Sequence, residues 1–177
     1  MDSINQNQPE QNHEDLHGPK AVAEIQTIVR KAENGFFCTV PMAGSRGTRP
    51  MNVRQVDDQG HLWFLAANDS HQVQELQRDP SVKLYFHGSQ HSDFLYLEGR
   101  ATLSAHKAKI AELWEPVLKT WFTGGQDDPR ITVIEVAPTE GYYWDTKHGG
   151  MVAGIKMLVG AAIGVTLDDS IEGTLDV

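Results

Sequence analysis

A single cysteine, Cys38, is all the thiol in this chain, so no disulfide can form within it. It lies in the apolar run Phe36-Phe37-Cys38-Thr39-Val40, where a thiol reads as a small buried hydrophobe; a reducing compartment is compatible with that. No run of about 18 apolar residues occurs, so no membrane-spanning helix is expected. The most apolar late segment, Met151 to Val165, is broken by Lys156 and by glycines. Basic residues are scarce: 15 Lys and Arg against 24 Asp and Glu leave a formal charge of -9. General attraction to nucleic acid or to an anionic membrane is therefore not expected. The start of the chain is polar, with no apolar core that would make a signal peptide, and a cytoplasmic location is expected.

What is present is ordinary for a globular protein: 177 residues, 40% hydrophobic and 22% charged. That length suits one domain with a substantial core. Residues 1–17 read as a disordered tail, residues 18–165 as the domain and residues 166–177 as an acidic C-terminal tail. Helical spacing of Val22, Ile25, Ile28, Val29 and Ala32 predicts a helix from Pro19 to Ala32, stopped by Asn34-Gly35. Strands are expected at 35–42, 48–56, 61–67, 82–86, 94–103, 131–136 and 141–144, with a bulge at Gly99. Asp69 or Ser70 caps a short helix running to Arg78; Asp69 with Gln72 fits a capping box. Ile110, Leu113, Trp114, Val117, Leu118 and Trp121 form the strongest helical stripe, with Pro116 expected to kink or split it. A small helix is expected between Gly154 and Ile163. Strands joined by tight turns with helices at the ends argue for an antiparallel α+β domain, and for a small barrel over an open sheet.

One stretch reverses the charge. From Asn34 to Val56 there is no Asp or Glu, yet Arg46, Arg49 and Arg54 fall within it. Arginine suits a phosphate, because its planar fork donates two parallel hydrogen bonds and keeps its charge. A solvated loop with surface arginines is the alternative. Period-two alternation puts Arg49 and Met51 on one face of a strand and Arg54 on the other, unless a bulge re-aims it. The second anion-friendly element is the start of the short helix, Ser70-His71, where first-turn amides point outward. Simple capping is the alternative for Ser70. His87 and His91 lie four apart in a strand–loop context and read as surface residues, so no metal site is expected. No nucleophile–base pair stands out.

Thr48-Arg49-Pro50-Met51, then Asp57-Asp58-Gln59-Gly60-His61-Leu62-Trp63-Phe64, then Ser70 opening a short helix, resemble the pyridoxamine 5'-phosphate oxidase-like flavin-binding split barrels. Leu113-Trp114-Glu115-Pro116, Trp121-Phe122, Asp127-Asp128-Pro129 and Glu140-Gly141-Tyr142-Tyr143-Trp144-Asp145 are similar to the general stress protein branch of that family. The resemblance covers roughly residues 19–165. It implies a six-stranded antiparallel split β-barrel with flanking helices, and a homodimer with FMN (FAD as the alternative) at the interface. It further implies cofactor contacts from Arg49, Pro50 and Met51, and from Ser70, His71 and Gln72 around the phosphate. Leu65 and Ala66 would run beside the ring, Arg54 would be a second cation, and Trp144 an aromatic near the flavin. The chain departs from the oxidases in offering His71 and Gln72 where they offer Arg and Lys. It also lacks their Tyr/Arg/Ser set and late Arg-x-His, so oxidation of pyridoxamine phosphate is not expected.

A bound flavin brings its own redox chemistry, and the protein supplies position and polarity. Trp114 and Trp121 read as core or dimer-interface residues of the amphipathic helix; Trp144 reads as the ring contact. Three readings stay open from residues alone. The chain is an FMN-dependent oxidoreductase of a small substrate, reduced by a nicotinamide; or a flavin-binding stress protein without turnover; or a split barrel holding haem or the deazaflavin F420.

Overall fold

In the computed structural model, residues 12–89, 92–147, 155–156, 158 and 169–177 are described. The order is β1 (Leu16–His17), α1 (Pro19–Ala32), β2 (Asn34–Thr39), β3 (Thr48–Asn52), β4 (Gln55–Val56), β5 (Leu62–Ala67), α2 (His71–Arg78), β6 (Ser81–His87), β7 (Phe94–Ser104), α3 (Lys107–Leu113), β8 (Ile131–Thr146) and β9 (Ser170–Asp176). α1 follows from Pro19 at its start and an apolar stripe that buries Ala21, Ile25, Ile28 and Val29. Glu33, at φ 57°, turns the chain directly into β2.

The long strands pair antiparallel in the sequence β3–β2–β6–β7–β8–β5. The stretch 48–56 then closes the ring. Its first half, β3, pairs with β2, and its second half, β4, pairs with β5. Inside lie Phe37, Leu62, Phe64, Leu84, Leu97 and Ile134, all but sealed from solvent. Phe37 and Phe64 meet edge to face at 5.1 Å. A second apolar cluster, Leu65, Ile110, Leu113, Phe122, Ile131 and Val133, lies where α3 covers β5 and β8.

Three sequence expectations are corrected. The described sheet has nine strands, not six, and one pair, β1 with β9, is parallel. The separate strands expected at 131–136 and 141–144 are one 16-residue strand, β8. It passes Pro138 and Gly141 without breaking because the register shifts opposite Gly99, where the expected bulge sits. Third, the ends of the chain are not tails throughout. Ser170–Asp176 pairs with the second half of β8, and Leu175 is buried; β1 lies along its other side. The Tyr143 hydroxyl donates to the Glu14 carbonyl at 2.9 Å. The alternation Ile171, Gly173, Leu175 carries this strand, masked in sequence by its acidic neighbours.

The stripe at 110–121 is split rather than kinked. α3 ends at Leu113, Trp114 and Glu115 are extended, and Pro116–Thr120 forms a separate 3-10 turn. A proline forces the residue before it out of the helical region, which is the state of Glu115. The small helix expected at 154–163 and the residue His91 lie outside the described residues, apart from Ile155, Lys156 and Leu158.

Candidate functional site

Arg49 and α2 do meet. Ser70 is the N-cap of α2, its Oγ accepting from the Val73 amide at 3.3 Å. One turn further on, Glu75 is wholly buried and points at β3 and the hairpin loop before it. Arg49 donates through Nη2 to Glu75 Oε2 at 2.7 Å and through Nη1 to Thr39 Oγ1 at 2.9 Å. Thr39 Oγ1 donates to Glu75 at 2.5 Å, and Ser45 Oγ and the Met42 amide donate to its other oxygen. Burial by itself would raise the Glu75 pKa. The hydrogen bonds from Ser45, Thr39 and Arg49 outweigh burial and hold the carboxyl at about 2.

Gln72 sits on the same helix face as Glu75, three residues earlier. It is 5% exposed, and its Nε2 has no hydrogen-bond partner. It does not act in a capping box with Asp69, since the cap is Ser70. A buried amide donor left unpaired is uncommon and asks for an acceptor that arrives from outside the chain. His71, beside it, is exposed at the first position of α2.

The other expected contacts separate. Arg54 is 8% exposed and fully engaged: Nε donates to the Leu113 carbonyl at 3.3 Å, Nη1 to Asn52 at 2.6 Å, and Nη2 pairs with Glu115 at 2.7 Å. It pins β3 to the end of α3 and is no second cation for an anion. Leu65 and Ala66 are both nearly buried; Leu65 faces the α3 cluster and Ala66 the barrel core. Met51 packs against that core, while Pro50 points out.

Pro50 and Trp144 instead share an outer groove of about 670 Å³ with Phe36, Tyr85, Phe94 and Tyr96. Register builds it: Pro50, Phe36, Tyr85, Tyr96 and Tyr142 stand opposite one another across five strands. In the next row His87 stacks on Phe94 at 4.3 Å, and Phe94 pairs with Trp144. Phe36 is 57% exposed and Trp144 42%, more aromatic surface than a lone domain usually leaves in water. Glu75 was not singled out from sequence, nor were the members of this surface other than Pro50 and Trp144. The signal for the row was aromatic or aliphatic residues on both faces of 84–87 and 94–97, where strict alternation would leave one face polar.

Residues 20–168 match the family described as pyridoxamine 5'-phosphate oxidase like. The chain belongs to that family. Its fold is similar to a candidate general stress protein 26 from Jannaschia sp. CCS1, with TM-score 0.70 and 21% identity over 90% of this chain and 100% of that one. It is also similar to general stress protein 26 from Bacillus anthracis str. Sterne, with TM-score 0.60 and 20% identity over 69% and 92%. A third likeness is to a general stress FMN/FAD binding protein from Xanthomonas citri, with TM-score 0.57 and 20% identity over 67% and 82%. At these identities the likeness concerns the fold. The protein bli-3 of Neurospora crassa is 27% identical over 90 residues, 46% of this chain and 43% of that protein, so the match spans less than half of this curated relative. The pair His71 and Gln72 and the closed Arg49–Glu75 contact are the features of this chain that bear on a ligand at the start of α2. Among the described residues no group of His, Cys, Asp and Glu could hold a metal ion, and no helix is long and apolar enough to cross a membrane.

Proposed function

We propose that this protein binds a flavin through its phosphate tail, with FMN the preferred form and FAD the alternative. The phosphate lies at the start of α2. One observation carries the reading: the buried Gln72 Nε2 without an acceptor, on the helix face that also carries Glu75 and thereby Arg49. The chemistry of the donors fits a phosphate. The first-turn amides of α2, the Ser70 hydroxyl, the Gln72 amide and the free N–H groups of Arg49 are all donors, and His71 adds charge when protonated. Family membership and the Xanthomonas citri protein's name support the same ligand class.

We further propose a homodimer joined through the outer aromatic face, with Trp144 of one copy presented to the flavin of the other. A split-barrel reading agrees with the closure of the ring by residues 48–56. When bound, the flavin supplies hydride or electron transfer, with a nicotinamide as the candidate reductant. The chain's own part is to hold the tail by hydrogen bonds and to shield the ring with aromatic side chains.

The test is to denature the purified protein, identify released ligand by mass spectrometry, and titrate the ligand-free protein with FMN. FMN released or taken up stoichiometrically is expected. A protein that releases none and takes up neither FMN nor FAD would overturn the proposal. Gln72→Met should weaken FMN binding roughly tenfold, one charge-assisted hydrogen bond, with the fold intact.

A further inference from the structure

Two of the three arginines in the acid-free stretch are met by carboxylates: Arg49 by Glu75 and Arg54 by Glu115, each at 2.7 Å. The two pairs differ in depth. Glu115 is 61% exposed at its side chain, whereas Glu75 is fully buried and its position is fixed by four donors. Glu75 also stands one turn below Gln72 on α2, so its charge acts at short range on whatever occupies the helix start. A charge in that setting is little screened by salt. Arg46, on the same hairpin loop as Ser45, is exposed and solvated, and its attraction is screened.

We infer that Glu75 is the residue that sets the charge selectivity of this site: by neutralising Arg49 in place, it makes the helix start recognise a flavin tail by hydrogen bonds rather than by net positive charge. This rests on the flavin reading above. The pair keeps the Arg49 guanidinium oriented, and the Arg49 side chain stays partly exposed. Its net charge is zero, and so is that of Gln72 and of the Ser70 hydroxyl. A dianionic phosphate monoester therefore gains less over an uncharged hydroxyl tail than it would at an unpaired arginine, and the preference for FMN over riboflavin is modest.

The experiment measures dissociation constants for FMN and for riboflavin by quenching of flavin fluorescence, in the wild-type protein and in Glu75→Gln. In the wild type FMN should be preferred over riboflavin by less than about thirtyfold, below the roughly hundredfold or more that two or three uncompensated charge-assisted bonds would give. In Glu75→Gln the FMN preference should rise about fivefold or more, while riboflavin affinity changes less than about twofold. A wild-type preference of thirtyfold or more, or an unchanged or smaller preference in Glu75→Gln, overturns the role of Glu75. A merely structural role would shift both ligands together. If Glu75→Gln does not fold, the wild-type ratio alone decides. A protein that takes up neither flavin fails the flavin reading itself, an outcome distinct from a strong preference for FMN.

Discussion

Arg49 cannot be treated as a free ligand-binding arm, because a buried carboxylate depends on it. Truncating it leaves Glu75, wholly inside the protein, without its only cationic partner among the described residues. Arg49→Ala is therefore expected to cost about 3 kcal/mol of stability, read by urea unfolding, in addition to any loss of ligand. A stability within about 0.5 kcal/mol of wild type would show that Thr39, Ser45 and the Met42 amide suffice to hold the charge. Gln72 is the opposite case. Its amide nitrogen is already unpaired, so Gln72→Met should leave stability unchanged or raise it by up to about 1 kcal/mol, while ligand affinity falls. At this scale the residue types and their places in the chain pointed to Arg49, Ser70 and His71 as candidates for an anion, and the family resemblance added Gln72. The engagement of Arg54 by Leu113 and Glu115 was not legible, because those partners lie 59 or more positions away in sequence.

Turns and bulges decide the elements. Gly47 lies at φ 66°, and a Cβ there would stand 2.7 Å from the Thr39 carbonyl, while the Thr39 amide donates the hairpin-closing bond to the Gly47 carbonyl. Gly47→Ala should destabilise by about 2 kcal/mol and loosen the loop that brings Ser45 and Thr39 to Glu75; an unchanged melting temperature would contradict this. The C-terminal strand contributes in the same way. Leu175 is buried between β8 and β1, so Leu175→Ala should cost about 2–4 kcal/mol, whereas a tail residue would cost nothing. Strong periodicity made α1, β5 and α2 readable, and Pro116 announced the end of α3. β9 was hidden because four acidic residues after Val165 set its composition, while its pairing depends on the edge of β8.

For the whole molecule, pH acts through two carboxyls of opposite sense. Glu75 titrates lower folded than unfolded, so its contribution is present above about pH 4.5 and is lost as pH falls toward 2. Glu24 is pushed up to about 7, first by burial and then by Asp145; its folded form keeps a proton that the unfolded chain releases, so stability falls as pH rises from about 4.5 through 7. Glu24→Gln should remove that decline, a difference of roughly 1–3 kcal/mol between pH 5 and pH 8 in chemical unfolding. A decline that survives the substitution would place its cause elsewhere. The aromatic face makes a second prediction at this scale. Phe36→Arg, on an exposed position of β2, should leave the monomer folded but shift a dimer to monomer in light scattering. A Phe36→Arg protein that remains dimeric would exclude this face as the joint.

The sequence by itself determined the α+β class, the order of the main strands and helices, and a basic stretch without carboxylates before the short helix. These follow from local periodicity, turn chemistry and the sign of charge along neighbouring residues. Only the tertiary structure decided which arginine is spoken for by which carboxylate, that Gln72 is left with a buried donor, and that aromatics from four strands, with Pro50 of a fifth, line up as one outer surface. Those facts depend on sheet register and on contacts between residues tens of positions apart, and no local pattern encodes them.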